Sequence, residues 1–186
     1  MRLFIAADPP RAIADKIAVV QRTLADTKAA VRWVDPADYH VTVKFLGEVA
    51  DGDVVEVSEA MKNAAENLEP FAMRTGECGC FPERGSVRIV WTSVVEDGGR
   101  LAGCVAAVEA QIEPLGFPRE HRPFAAHVTI GRVREDRSQG KLRERVQAHS
   151  GKIVEQDVSS LTLMSSALSP KGSTYTVVSR AKLGAK

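Results

Sequence analysis

The chain has 186 residues, 44% hydrophobic and 26% charged, a balance typical of a globular protein with a buried core. A formal net charge of +1 argues against a protein that coats long nucleic acid, because such binding neutralises many phosphates. The sequence has no apolar run of the roughly 20 residues that a membrane-spanning helix needs. Its first apolar segment is also too short for a signal peptide. We therefore expect a cytoplasmic protein without membrane contact.

Three segments carry apolar residues at helical spacing. Asp8 is expected to cap the first helix, with Pro9 at its first position, and Asp53 to cap the second. Pro114 and Gly116 are well placed to end the third. The apolar stripes run over residues 13–24, 54–64 and 101–112, and a short polar helix is expected at 139–148.

Short runs rich in β-branched residues predict strands between these helices. A turn at residues 169–172 should join the last two strands. Alternating strands and helices without Gly-rich phosphate loops predict an α+β fold with helices outside a pair of sheets. The predicted strands cover residues 2–7, 31–34, 39–47, 71–76, 87–95, 125–133, 152–158, 160–166 and 174–179.

Two predicted strands carry nearly the same tetrapeptide, His-Val-Thr-Val at 40–43 and His-Val-Thr-Ile at 127–130. Side chains alternate faces along a strand, so each histidine shares a face with the threonine two residues later. A single His-x-Thr tripeptide in a strand is usually a surface pair or a core pair with its hydrogen bonds satisfied. Two copies with matching apolar partners favour a functional interpretation.

Paired imidazoles suit phosphodiester chemistry, because hydrolysis of a cyclic phosphate needs a base for water and an acid for the leaving oxygen. Imidazole titrates near neutral pH, so one ring can be neutral while the other is charged. Threonine hydroxyls and a nearby arginine would hold the non-bridging oxygens. This scheme requires no metal and no cofactor.

These residues resemble the two-histidine phosphoesterase superfamily, and within it the RNA 2′,3′-cyclic phosphodiesterases, also called 2′-5′ RNA ligases. The resemblance covers nearly the whole chain. It is carried by RLFIAADPP at the start, HVTVKFLGEV from His40, FAAHVTIGRV from Phe124 and LSPKGSTYTVV from Leu168.

The resemblance implies a single bilobal domain over residues 1–186, with two antiparallel sheets, outer helices and pseudo-twofold symmetry around a central cleft. It also implies hydrolysis of an RNA-terminal 2′,3′-cyclic phosphate to a 2′-phosphate, with reversible 2′-5′ joining of RNA ends. His40 would be the proton donor and His127 the proton acceptor. Thr42, Thr129 and Arg132 would bind the phosphate.

Two positions complicate this correspondence. The family usually has proline before the second histidine, where this chain has Ala126. Strict alternation would place Arg132 on the face opposite His127, unless a bulge turns it back. By the same rule Lys44 would share the face of His40, whereas Trp91 is predicted to lie in the core.

Three other functions remain open on the sequence. One is a different two-histidine activity, on cyclic nucleotides or 2′-5′ oligonucleotides. Another is a non-catalytic module that binds RNA ends or nucleotides with a cyclic phosphate. The third is a metalloprotein using His40, His127 and Cys78, although Cys78, Cys80 and Cys104 lack the spacing of a zinc site and are predicted to be reduced structural thiols. A monomer is expected.

Overall fold

The strands and helices follow one another in the predicted order. The computed structural model describes residues 1–9, 11–25, 27, 29–96, 98–149, 155–169 and 172–185. The strands are β1 (Arg2–Ala7), β2 (Ala29–Trp33), β3 (Val41–Glu48), β4 (Phe71–Phe81), β5 (Ile89–Val95), β6 (His127–Asp136), β7 (Glu155–Val158), β8 (Ser160–Ser169) and β9 (Gly172–Lys182). The helices are α1 (Arg11–Leu24), α2 (Val54–Glu66), α3 (Arg100–Ile112) and α4 (Lys141–Gln147).

The differences from the predicted bounds lie at element ends. Helix α1 begins at Arg11, later than predicted, and Asp8 does not act as its cap. The Asp8 carboxylate instead accepts hydrogen bonds from Thr162 and Arg180. Asp53 does precede α2, but its side chain makes no capping hydrogen bond. Residues 152–154 of a predicted strand and 170–171 of the predicted turn lie outside the described residues.

The sheet consists of two antiparallel halves that meet at one residue pair. The strand order is β7-β4-β5-β6-β3-β1-β8-β9, and β2 also pairs with β6. Strands β3 and β6 pair only through Val41 and Val128. The two predicted sheets are therefore joined into one nine-stranded sheet, and the α+β class is confirmed.

Equivalent positions of the two repeated motifs form the joining pair, since Val41 follows His40 and Val128 follows His127. On each side the order then runs through three further strands, β1-β8-β9 and β5-β4-β7. An antiparallel pair of equivalent residues is what an approximate twofold axis between the halves produces. The axis of the predicted pseudo-twofold arrangement therefore passes through this junction.

The four helices cover one face of the sheet. Helices α2 and α3 contact each other and strands β3, β8 and β9, whereas α1 and α4 contact strands β4, β6 and β7. Their apolar stripes join one core cluster that includes Ile17, Met61, Val108 and Leu142. We call the opposite face of the sheet the open face. No helix in the described ranges is long and apolar enough to span a membrane.

Candidate active site

The two His-x-Thr motifs meet on the open face at the junction of the halves. Val41 and Val128 are fully buried in the core, so the residues on either side of each point to the open face. Continuing the register of this pair by one residue places His40 opposite Thr129 and Thr42 opposite His127. Directly opposed residues in an antiparallel pair have neighbouring side chains. Both imidazoles and both hydroxyls are thus collected in one place.

Both imidazoles are held in the same way. The Nδ1 atom of His40 lies 2.8 Å from the carbonyl oxygen of Asp38, and that of His127 lies 2.7 Å from the carbonyl oxygen of Ala125. A carbonyl oxygen can only accept, so Nδ1 carries a proton and donates it in each ring. In the neutral rings Nε2 is therefore unprotonated and can accept a proton, as a general base requires.

A bulge in β6 turns Arg132 to the face of His127. Val90 pairs with Gly131 and Trp91 with Thr129, so Ile130 is an extra residue in β6. A Cβ atom on Gly131 would lie 2.8 Å from Val31 Cγ1, which places the Gly131 position on the core side. Arg132, the next residue, is exposed and lies on the open face. The structure thus brings Arg132 together with the two motifs.

An equivalent bulge in β3 reverses the prediction for Lys44. Ile5 pairs with Lys44 and Ala6 with Thr42, leaving Val43 as the extra residue. Lys44 is 6% exposed and lies on the core side. Its Nζ is 2.9 Å from Glu109 Oε1, and it also donates to the Pro118 carbonyl. The prediction that Lys44 shares the face of His40 is therefore wrong.

The bulge in β3 brings Phe45 to the open face, where its side chain is 69% exposed. Phe45 follows His40 by five residues, as Arg132 follows His127. The halves therefore present different groups at equivalent positions, an aromatic ring in β3 and a guanidinium in β6.

Aromatic rings flank each histidine. The His40 ring centroid lies 4.8 Å from that of Phe4 and 5.1 Å from that of Tyr175. The His127 centroid lies 5.4 Å from that of Phe81 and 6.2 Å from that of Trp91. These rings restrict the orientation of the imidazoles, and the half-buried rings of Tyr175, Phe81 and Trp91 offer apolar surface for a nucleobase.

Trp91 is half-buried and lies beside His127, so its prediction as a core residue is wrong. It lies over Gly79 of β4, where a Cβ atom would come within 2.2 Å of the indole ring. Only glycine at position 79 lets Trp91 lie flat against the sheet next to the imidazole.

Charges around His40 act in opposite directions on its pKa. Burial lowers the pKa below its usual value, and the positive charge of Arg132 and the presence of His127 lower it further. The hydrogen bond to the Asp38 carbonyl and the carboxylate of Asp8 oppose this effect. The pKa of His40 therefore depends on groups from both halves of the sheet.

Asp8 lies beside His40 because of the register of β1 and β3. Ala7 pairs with Val41, so the next residue along β1 comes opposite His40. The Asp8 Oδ2 atom is held by Thr162 Oγ1 at 2.7 Å and Arg180 Nη2 at 3.0 Å. The equivalent neighbour of His127 is Ser93, which has no charge. The carboxylate therefore distinguishes the two histidines.

Replacing Asp8 by asparagine is expected to lower the pKa of His40, because the favourable charge is removed. If His40 is the general acid, the alkaline limb of the pH profile of kcat/KM moves to lower pH, since this parameter reports the free enzyme. Asp15→Asn, on the exposed side of α1, is the matched control. An acid limb that moves instead would make His40 the base, and an unmoved profile would contradict the coupling.

The cysteines lie away from this site. Cys78, Cys80 and Cys104 are free, buried thiols, which confirms that prediction. Burial raises the pKa of Cys80 to about 11 and that of Cys78 above its usual value, so both stay protonated. Cys78 belongs to the core cluster, whereas both histidines lie on the open face. The three donors of the metalloprotein hypothesis therefore do not converge.

Sequence reasoning missed the residues that reach the site from other strands. Asp8 and Phe4 lie in the RLFIAADPP segment and Phe81 in no quoted motif, and none was predicted to reach the histidines, because their proximity depends on strand pairing. A prediction of β1 next to β3 would have indicated Asp8, since it then comes opposite His40.

Comparison with known proteins agrees with this architecture. Residues 7–91 match the family model described as LigT-like phosphoesterase. An RNA 2′,3′-cyclic phosphodiesterase of Archaeoglobus fulgidus is 33% identical over 94% of this chain and 96% of its own. One of Methanothermobacter thermautotrophicus is 29% identical over 95% of each chain.

Among solved structures, the protein TT0787 of Thermus thermophilus superposes with a TM-score of 0.82. It is 25% identical and covers 99% of this chain and 98% of its own. Sequence and fold thus agree over nearly the whole length, including both His-x-Thr strands. The chain belongs to the two-histidine LigT-like phosphoesterase family.

Proposed function

We propose that this protein hydrolyses the 2′,3′-cyclic phosphate at an RNA end to a 2′-phosphate. The observation that carries the proposal is the meeting of two imidazoles on one face, each with Nδ1 bound to a carbonyl. Such a pair can take a proton on one side of a phosphorus atom and release one on the other. The names of the curated relatives support this choice of substrate.

In the proposed reaction the Nε2 atom of His127 takes a proton from water as the water oxygen attacks phosphorus. The bond from phosphorus to the 3′ oxygen breaks, and His40 gives that oxygen its Nε2 proton. The product carries a 3′-hydroxyl and a 2′-phosphate. Each turnover leaves His127 protonated and His40 neutral, so exchange with water must restore both rings.

Thr42, Thr129 and Arg132 are proposed to hold the non-bridging phosphate oxygens. Hydroxyl and guanidinium donors directed at oxygens that gain charge lower the barrier. The bound anion also offsets the effect of burial on His40, because a negative charge nearby favours the imidazolium form. Substrate binding therefore prepares His40 to act as an acid.

The same groups would join RNA ends through a 2′-5′ linkage. A 5′-hydroxyl would take the place of water, give its proton to His127 and attack the same phosphorus. The 3′ oxygen would again leave with the proton of His40. No further residue is required, so ligation and hydrolysis would compete for one site.

We further propose that a monomer acts as one bilobal domain over residues 1–186, because one chain supplies all five site residues. The cytoplasm is the proposed location, since it keeps free thiols reduced, and this chain has three. The step uses no metal and no cofactor, because the two imidazoles carry both protons.

The test is incubation with adenosine 2′,3′-cyclic phosphate in excess EDTA, with chromatography that resolves 2′- from 3′-monophosphate. We expect the 2′-phosphate, because the proton of His40 goes to the 3′ oxygen. A 3′-phosphate would contradict the regiochemistry and exchange the oxygen that leaves.

Activity that EDTA abolishes and added metal restores would contradict the metal-free step. If the cyclic nucleotide and a cyclic-phosphate-ended RNA both remain intact, a 2′-5′ oligonucleotide tests the other two-histidine activity. Tight binding of the RNA end without any turnover would favour the binding module.

A further inference from the structure

A second arginine lies next to Arg132 on the open face. Arg32 in β2 pairs directly with Arg132 in β6. Its neighbours Val31 and Trp33 pack against the core, and both would contact a Cβ atom on Gly131. Because side chains alternate along β2, Arg32 points away from the core, to the side of Arg132.

Within the described ranges, neither Arg32 nor Arg132 forms an ion pair or hydrogen bond with a carboxylate. Like charges directly opposite each other destabilise a pair of strands. Arg32 is nevertheless half-buried, which restricts its access to water. A bound anion would reduce the repulsion between the two positive charges. Guanidinium groups suit phosphate because they donate two parallel hydrogen bonds.

Arg32 lies on the strand beside Arg132, a step of about 4.8 Å, along the edge of β6 that also pairs with β3. The charge of Arg132 also lowers the pKa of His40, so Arg132 lies within electrostatic reach of the reacting groups. Two guanidinium groups on neighbouring strands can hold two successive anions. An RNA end offers such a series of anions, because the cyclic phosphate is followed along the chain by an ordinary phosphodiester.

We propose that Arg32 binds the phosphodiester that links the terminal nucleotide to the one before it. The inference deepens the proposed function, on which it depends, by making an RNA chain the preferred substrate over a free cyclic nucleotide. Arg132 would hold the scissile phosphate and Arg32 the next one. With a net charge of only +1, the protein would gain this preference from one local contact rather than from a broad basic surface.

The test compares kcat/KM for adenosine 2′,3′-cyclic phosphate with that for a dinucleotide ending in the same cyclic phosphate. Wild-type protein should prefer the dinucleotide. In Arg32→Gln this preference should fall about tenfold, the loss expected for one charge-assisted phosphate contact. Arg32→Lys should retain part of it, and Arg11→Gln, on helix α1, is the matched control. Raising the salt concentration should affect the dinucleotide less in Arg32→Gln than in wild type.

An equal loss on both substrates would overturn the proposal, because Arg32 would then serve the scissile phosphate or the fold. An unchanged preference would overturn it too. Equilibrium binding of the 2′-phosphate mononucleotide and dinucleotide separates this proposal from the proposed function. If Arg32→Gln weakens only dinucleotide binding in a protein without hydrolytic activity, the subsite stands and the hydrolytic function fails.

Discussion

Replacing His40 or His127 by alanine is expected to lower kcat on a cyclic-phosphate substrate about 10²- to 10⁴-fold. Each substitution removes the only imidazole positioned to carry one of the two protons. The Nδ1 hydrogen bonds to Asp38 and Ala125 leave Nε2 as the reactive atom in both rings. The measurement is steady-state turnover of adenosine 2′,3′-cyclic phosphate at several pH values.

The pH profile should distinguish the two variants. Loss of the base removes the acid limb of the profile, and loss of the acid removes the alkaline limb. His149→Ala is the matched control, because His149 follows α4, a helix whose buried residues belong to the core cluster on the other side of the sheet. The double variant should be scarcely worse than the worse single variant, since the two rings act as a unit. Full additivity or near wild-type activity in either single variant would contradict the paired mechanism.

Replacing Lys44 by methionine is expected to lower the free energy of unfolding by about 3–5 kcal/mol. The Lys44 and Glu109 side chains are only 6% and 11% exposed, and removing one partner leaves the other charge buried. Urea unfolding measures the loss. Lys62→Met is the control, because Lys62 pairs with Glu59 at the surface, where such pairs contribute about 0–1 kcal/mol. A loss below that of Lys62→Met would contradict the assignment.

The same ion pair makes a prediction for acid stability. Burial raises the pKa of Glu109, but hydrogen bonds from the Glu120 N–H and from Lys44, with the lysine charge, outweigh it and hold the pKa below its usual value. Stability from this group is therefore present above the unfolded pKa of about 4.3 and is lost as pH falls through the lower folded pKa. Wild-type protein should lose this contribution in acid, and Lys44→Met should have less of it to lose.

The ion pair also ties the chain leading to the second motif. Lys44 donates to the Pro118 carbonyl and Glu109 accepts from the Glu120 N–H. This segment runs on to Ala125, whose carbonyl orients His127. Faster amide hydrogen exchange across residues 118–126 in Lys44→Met would show that the buried pair supports the active face as well as the core.

The sequence alone determined the chemical content of the site and most of its local structure. The alternation of side chains along a strand predicted that each histidine shares a face with its threonine and that the valine between them is buried. Val41 and Val128 are buried as predicted. The helix stripes also lie in the core as predicted, because burying an apolar face is a local pattern with a strong energetic consequence. Two copies of one motif further indicated two equivalent halves.

Tertiary structure alone decided which side chains surround the motifs. A bulge is one extra residue in a strand relative to its partner strand, so the sequence of a single strand does not reveal it. The bulges at Val43 and Ile130 placed Lys44 in the core and Arg132 on the face of the histidines, both contrary to strict alternation. Asp8 likewise reached the site, and Arg32 its position beside Arg132, through strand register. Their positions depend on pairings between residues distant in the chain, and the alternation of side chains within one strand does not predict those pairings.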